Sequence, residues 1–126
     1  MTTSFPYDDP NYQVRRYQGP FTLAAGTGNT SAGFAPPVDA VLHAAHFVVT
    51  TAGAGAANKR IVNANGTALG TTTLGTSTAN TTATLDLAET TIAGGQRVTF
   101  TNGTDASGTQ DAIVEWTPKA LATFQN

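Results

Sequence analysis

The chain contains no cysteine, so it holds no disulfide framework, no thiolate metal ligand and no thiol nucleophile. Charge is scarce as well: six Lys and Arg against eight Asp and Glu leave a formal net charge of −2. Charged residues make up 11% of the sequence. A soluble domain usually carries ~25%. A balance so near zero gives no electrostatic case for binding nucleic acid or an anionic membrane surface. No apolar run approaches the ~20 residues that a membrane-spanning helix needs. The first ten residues are polar and acidic and read as neither a signal nor a transit peptide.

What is abundant is small. Thr (24), Ala (21) and Gly (13) fill 58 of the 126 positions. At this length a single domain is expected, burying about two-thirds of the surface its unfolded chain exposes. Bulky apolar residues recur in patterned clusters, so the composition predicts a folded domain with a neutral, hydroxyl-rich surface. Such a surface suits a protein that is densely repeated or largely covered by partners.

Residues 1–20 stand apart from the rest. They hold all three tyrosines (Tyr7, Tyr12, Tyr17), two of the four arginines (Arg15, Arg16) and three of the six prolines (Pro6, Pro10, Pro20). The prolines forbid a continuous helix and favour an extended path. Tyr and Arg are enriched at interface hot spots because they bury area while keeping a polar handle. Phe5, Tyr7, Tyr12, Arg15, Arg16 and Tyr17 are therefore the candidate partner-binding residues of an extended N-terminal arm. The arm either folds back on its own domain or crosses to a neighbouring subunit.

Residues 21–118 read as one β-domain, and 119–126 as a short tail without strong signals. Strand patterns fall at 21–25, 41–51, 59–63, 67–74, 81–88, 97–101 and 111–117, while 26–33 reads as a loose loop. Ala83, Leu85 and Leu87 alternate with polar neighbours, as do Val98 and Phe100, and Ala112, Val114 and Trp116. Half-buried antiparallel strands have this period of two. Asn65-Gly66 between two strand patterns predicts a tight hairpin, since a type I′ turn needs positive φ at both central residues. Seven to eight short strands with regular turns predict an antiparallel β-sandwich, jelly-roll-like, with an extended N-terminal arm.

The chemistry-bearing residues are few. His43 and His46 would share a face on a helix, but three residues apart on a strand they point to opposite faces. With no third ligand close in sequence, they read as packed or interface histidines rather than metal ligands. Asp86 and Glu115 both lie on outward strand faces and could meet across a sheet, yet no long insertion offers a cleft. Asp8-Asp9 lies in the Pro-rich arm. None of the four serines sits in a nucleophile elbow, and neither Gly26-Thr27-Gly28 nor Gly53-Ala54-Gly55 leads into a phosphate-binding helix. The stretch from Asp105 to Asp111 matches no defined calcium loop. Asn29, Asn65, Asn80 and Asn102 begin Asn-x-Ser/Thr triplets that read as turns. Lys59-Arg60 is the second basic pair besides Arg15-Arg16. No catalytic set, no metal site and no cofactor is expected, and the chain reads as a non-enzyme.

The stretch 41–116, from VLHAAHFVVTTAGAGAANKR to GTQDAIVEW, resembles small virion proteins of tailed bacteriophages, in particular capsid decoration (cement) and related head-surface proteins. The shared features are short Thr/Ala/Gly-rich strands, the Gly94-Gly95-x-x-Val98 turn into a strand, and a Gly-Thr-Asp loop before the last strand. The resemblance implies a β-sandwich or jelly-roll homotrimer on the outer surface of a phage head. Its implied partners are the major capsid protein and its own copies. It implies capsid stabilisation as the function and the virion as the location, with no role for nucleic acid or membrane. The alternatives are a carbohydrate-binding or adhesin-like module of a head or tail fibre, and another tail or connector component.

Overall fold

A computed structural model describes residues 15–119, and within them every regular element is a β-strand. The strands are β1 (Arg16–Leu23), β2 (Thr30–Phe34), β3 (Ala40–Thr51), β4 (Lys59–Ala64), β5 (Thr67–Thr73), β6 (Thr82–Ile92), β7 (Val98–Asn102) and β8 (Thr109–Pro118). They form two four-stranded antiparallel sheets, in the orders β1-β8-β3-β6 and β2-β7-β4-β5. The expected antiparallel sandwich is thus the fold.

Pairing is nested along the chain. The first strand pairs with the last, the second with the seventh, the third with the sixth and the fourth with the fifth. Only the β4–β5 hairpin stays within one sheet, and every other connection crosses to the opposite one. Asn65 (φ 50°) and Gly66 (φ 83°) form that hairpin's turn, where the sequence places it. The alternating residues meet between the sheets: Leu42, Phe47, Val62, Val98, Phe100, Ala112 and Val114 are fully buried. Phe47 meets Phe100 edge-on at 6.1 Å, and Phe34 packs near Trp116 at 6.0 Å. Each such large side chain contributes about 1.5–3 kcal/mol through burial.

The strand boundaries differ from expectation at three places, one being β6, which runs on to Ile92 beyond the expected end at 88. β1 begins at Arg16, so residues 16–20 of the expected arm are an edge strand of the sandwich, while residues 1–14 lie outside the described ones. Pro20 fits because the register with β8 shifts between Gln18 and Phe21, and an edge strand tolerates a missing donor at such a bulge. β2 occupies part of the expected loop. Its backbone runs so close to β7 that a Cβ on Gly33 would land on the Val98 carbonyl.

Each of the four edge strands carries a register break against its inner neighbour: β1 at Gln18/Phe21, β2 at Ser31/Phe34, β5 opposite Val62/Asn63 and β6 opposite Leu42/Ala44. The central pair β4–β7 runs in step from Arg60↔Asn102 to Ala64↔Val98. Bulged edges resist pairing with another chain's strand.

The sandwich has two unlike ends. At one, four loops (24–29, 52–58, 74–81 and 103–108) close over the core. At the other lie the turns 35–39, 65–66 and 93–97, together with Arg15 and Lys119, where the described chain begins and stops.

Candidate functional site

The densest cluster of titratable side chains covers the outer face of the β1-β8-β3-β6 sheet. His43 and His46 both belong to it, which corrects the expectation that they point to opposite faces. The cause is a bulge: Leu42 pairs with Trp116 and Ala44 with Glu115, leaving His43 as an extra residue on β3. The inserted residue resets the alternation, so His43, Ala44 and His46 all face outward while Leu42 and Ala45 stay in the core.

Both imidazoles are held between a carboxylate and a threonine hydroxyl. A carboxylate only accepts, so His43 Nδ1–H donates to Glu89 Oε1 (3.1 Å), while Nε2 is hydrogen-bonded to Thr117 Oγ1 (2.9 Å). His46 has the reverse orientation, Nε2–H donating to Glu115 Oε1 (3.0 Å) and Nδ1 hydrogen-bonded to Thr84 Oγ1 (3.0 Å). The Thr117–His43–Glu89 connectivity is that of a hydroxyl–imidazole–carboxylate relay. Thr117, however, is 4% exposed within a central strand, where a substrate has no approach. The unit ties β3 to β6 and β8. Glu89 is placed by a distorted stretch of β6 in which Ala88 and Glu89 both have φ 56°. The left-handed region costs a non-glycine residue about 1–2 kcal/mol. Among the described residues, no three His, Asp or Glu side chains converge as a metal set.

Asp86 and Glu115 do not meet. Both lie level with Ala44, one on β6 and one on β8, with β3 between them, so roughly 10 Å of sheet separates the two strands. Asp86 instead accepts from the Ala88 N–H (2.8 Å), and Glu115 is shared between His46 and Arg15.

Of the expected arm residues, three are described. Arg15 Nη1 pairs with Glu115 Oε2 at 3.1 Å, and the Arg16 guanidinium lies 5.4 Å from the Trp116 ring centroid. Tyr17 is 62% exposed, its ring 6.4 Å from that of His46. Phe5, Tyr7 and Tyr12 lie outside the described residues, as do Asp8 and Asp9.

A second polar cluster lies under the four loops. Arg60, half of a basic pair in the sequence, is completely buried. Its Nε donates to Gln110 Oε1, and its Nη2 donates to the Ser107 (3.2 Å) and Gly108 (3.4 Å) carbonyls. Desolvation by burial lowers its pKa from the ordinary arginine value. Asn58 accepts from Ser107 N–H (3.1 Å) and donates to the Gly75 carbonyl (2.9 Å). Ser107 Oγ accepts from the Ala54 (2.9 Å) and Gly55 (3.0 Å) N–H groups. Asn102 Nδ2 donates to Ala24 and Gly26 carbonyls, both at 2.7 Å, so its Asn-Gly motif marks a loop-lacing residue. Every loop at this end is thereby tied to another. Strand parity carries the signal for two of these residues: Arg60 has the inward phase of Val62 and Ala64, and Gln110 that of Ala112 and Val114.

No protein-family model matches the chain, and no curated protein matches it in sequence.

Proposed function

We propose that this chain is a structural virion protein, a decoration or cement protein that binds the outer surface of a phage head as a homotrimer and stabilises it. The observation that carries this reading is the nested pairing of eight strands in two sheets. We read that pairing as a jelly roll, an architecture common among viral capsid and lectin-like domains. Fold alone does not fix function. Two features of the site add support. The outward histidines and carboxylates are committed to one another, and Arg15, Arg16 and Tyr17 stand where the N-terminal segment joins β1. The major capsid protein is the intended partner. A carbohydrate-binding module would need an exposed aromatic platform; Trp116 is in the core at 3% exposure, which leaves Tyr17 as the single strongly exposed aromatic among the described residues.

The test is co-sedimentation of purified protein with expanded phage heads lacking it, combined with light scattering of the free protein. A trimer that sediments with the heads and raises their resistance to heat is the expected result. Removal of residues 2–14, which stops short of β1, should weaken binding if the arm contributes Phe5, Tyr7 and Tyr12 as anchors. A monomer that stays in the supernatant would sink the reading.

A further inference from the structure

The cations of the molecule are not spread evenly. Four of the six, Arg15, Arg16, Arg97 and Lys119, lie at the end of the sandwich opposite the four loops. The hydrogen bonds place them there. Lys119 N–H donates to the Asp39 carbonyl (2.8 Å), Asn65 N–H to the Arg97 carbonyl (2.8 Å) and Gly95 N–H to the Pro36 carbonyl (2.7 Å). Arg16 stands opposite Trp116, two residues before Pro118. All four side chains belong to exposed residues. Arg97 and Lys119 form no salt bridge with any described residue, and Arg16 only overlies an indole.

The acids at this end are largely committed. Asp39 Oδ1 accepts from the Gly94 N–H (2.9 Å), Glu115 is shared by Arg15 and His46, and Glu89 holds His43. The two exposed large apolar side chains among the described residues, Tyr17 (62%) and Val38 (49%), belong to the start of β1 and to the turn 35–39, at the same end. By contrast the four loops carry one charged residue, Asp105. All four sheet edges are bulged, which disfavours docking by strand addition. Among the described residues, this end combines Arg, Tyr and an aliphatic side chain, the composition of a hot spot with electrostatic steering.

We infer that this end, presenting Arg16, Tyr17, Val38, Arg97 and Lys119, is a docking surface for a carboxylate-rich protein surface. Arg15, Arg16, Arg97 and Lys119 stand against Asp39, Glu89 and Glu115 at this end of a chain of net charge −2, an excess that suits the acidic patch of a protein and is too small for the dense charge of a polyanion. The inference deepens the proposed capsid role by naming the partner's chemistry, and rests on that role only for the partner's identity.

The experiment is an NMR titration of the full-length, isotope-labelled protein with an oligoglutamate peptide, and separately with an oligothymidylate of about 20 nucleotides. Amide shifts should concentrate at Arg16, Tyr17, Val38, Arg97 and Lys119, and weaken as NaCl rises from about 50 to about 300 mM. The double variant Arg97→Glu, Lys119→Glu should lose peptide binding by about fivefold or more while Lys59→Glu leaves it intact. Absence of shifts, shifts centred on Lys59, or an unaffected double variant would overturn the inference. Tighter binding of oligothymidylate at this end would overturn it in favour of nucleic acid. The same variant is then sedimented with phage heads. Loss of head binding supports both readings, and undiminished head binding overturns the docking surface while leaving the capsid role. Peptide binding at this end without head binding by the parent protein supports the surface and overturns the capsid role.

Discussion

The two ends of the sandwich handle polarity in opposite ways. At the loop end, Asn58, Arg60, Asn102, Gln110 and Ser107 turn their polar groups inward, and the surface above them is almost uncharged. At the other end the turns are short, and Arg16, Arg97 and Lys119 direct their charge outward. Inward polarity has no access to water, so each group there must be answered by a protein partner or cost stability. Outward polarity is answered by solvent and is free to meet another molecule. The loop end thus laces its loops together through buried groups, although Arg60 Nη1, Asn102 Oδ1 and Gln110 Nε2 have no partner among the described residues, while the opposite end leaves its charge to solvent.

The hardest test of that division is Arg60. Arg60→Ala would strand Gln110 Oε1 and the Ser107 and Gly108 carbonyls in the interior. The expected loss is about 3 kcal/mol or more, seen as a Tm lower by about 10 °C or more in calorimetry. The paired change Arg60→Met, Gln110→Leu removes donor and acceptor together and fills similar volume. It should recover a large part of the loss, because an apolar pair replacing a buried polar one is often close to neutral. A small effect of Arg60→Ala would break the comparison at its strongest point. Ser107→Ala comes next. It leaves the Ala54 and Gly55 N–H groups without their acceptor, at an expected cost of about 1–2 kcal/mol in urea unfolding.

Most of this fold is legible in the sequence, and the exceptions share a physical cause. The alternations at Ala83–Leu87, Val98–Phe100 and Ala112–Trp116 locate three strands because each states its own periodicity, and the Asn65-Gly66 turn locates one hairpin. β2 does not. Thr30–Phe34 has one bulky apolar residue, and its strand conformation comes from pairing with β7. The first part of β1, ahead of the pattern at 21–25, is hidden by Gly19-Pro20, a breaker anywhere but at a bulged edge. The histidine face is hidden for the same reason: one inserted residue on β3 reverses the parity of everything beyond it, and nothing local in Leu42-His43-Ala44-Ala45 marks the insertion. Arg60 and Gln110 share the inward parity of Val62 and Ala112, although in sequence one reads as half of a basic pair and the other as the end of a loop. What composition obscures is that a charged residue there acts as a core residue, since arginine is so seldom fully buried.

The smallest effect is the most telling one for the opposite end. Arg97 and Lys119 are exposed and make no salt bridge with a described residue, so reversing both charges removes no interaction that holds the fold. Chemical unfolding of Arg97→Glu, Lys119→Glu should stay within about 0.5 kcal/mol of the parent, the range of ordinary surface substitutions. Two added acids among Asp39, Glu89 and Glu115 introduce some repulsion, but solvent screens exposed charges beyond about 8–10 Å. A destabilisation comparable to that of Ser107→Ala would mean that these cations are held by the fold. The end they occupy would then be a second structural apex, because side chains already bound within their own chain have little left to offer a partner.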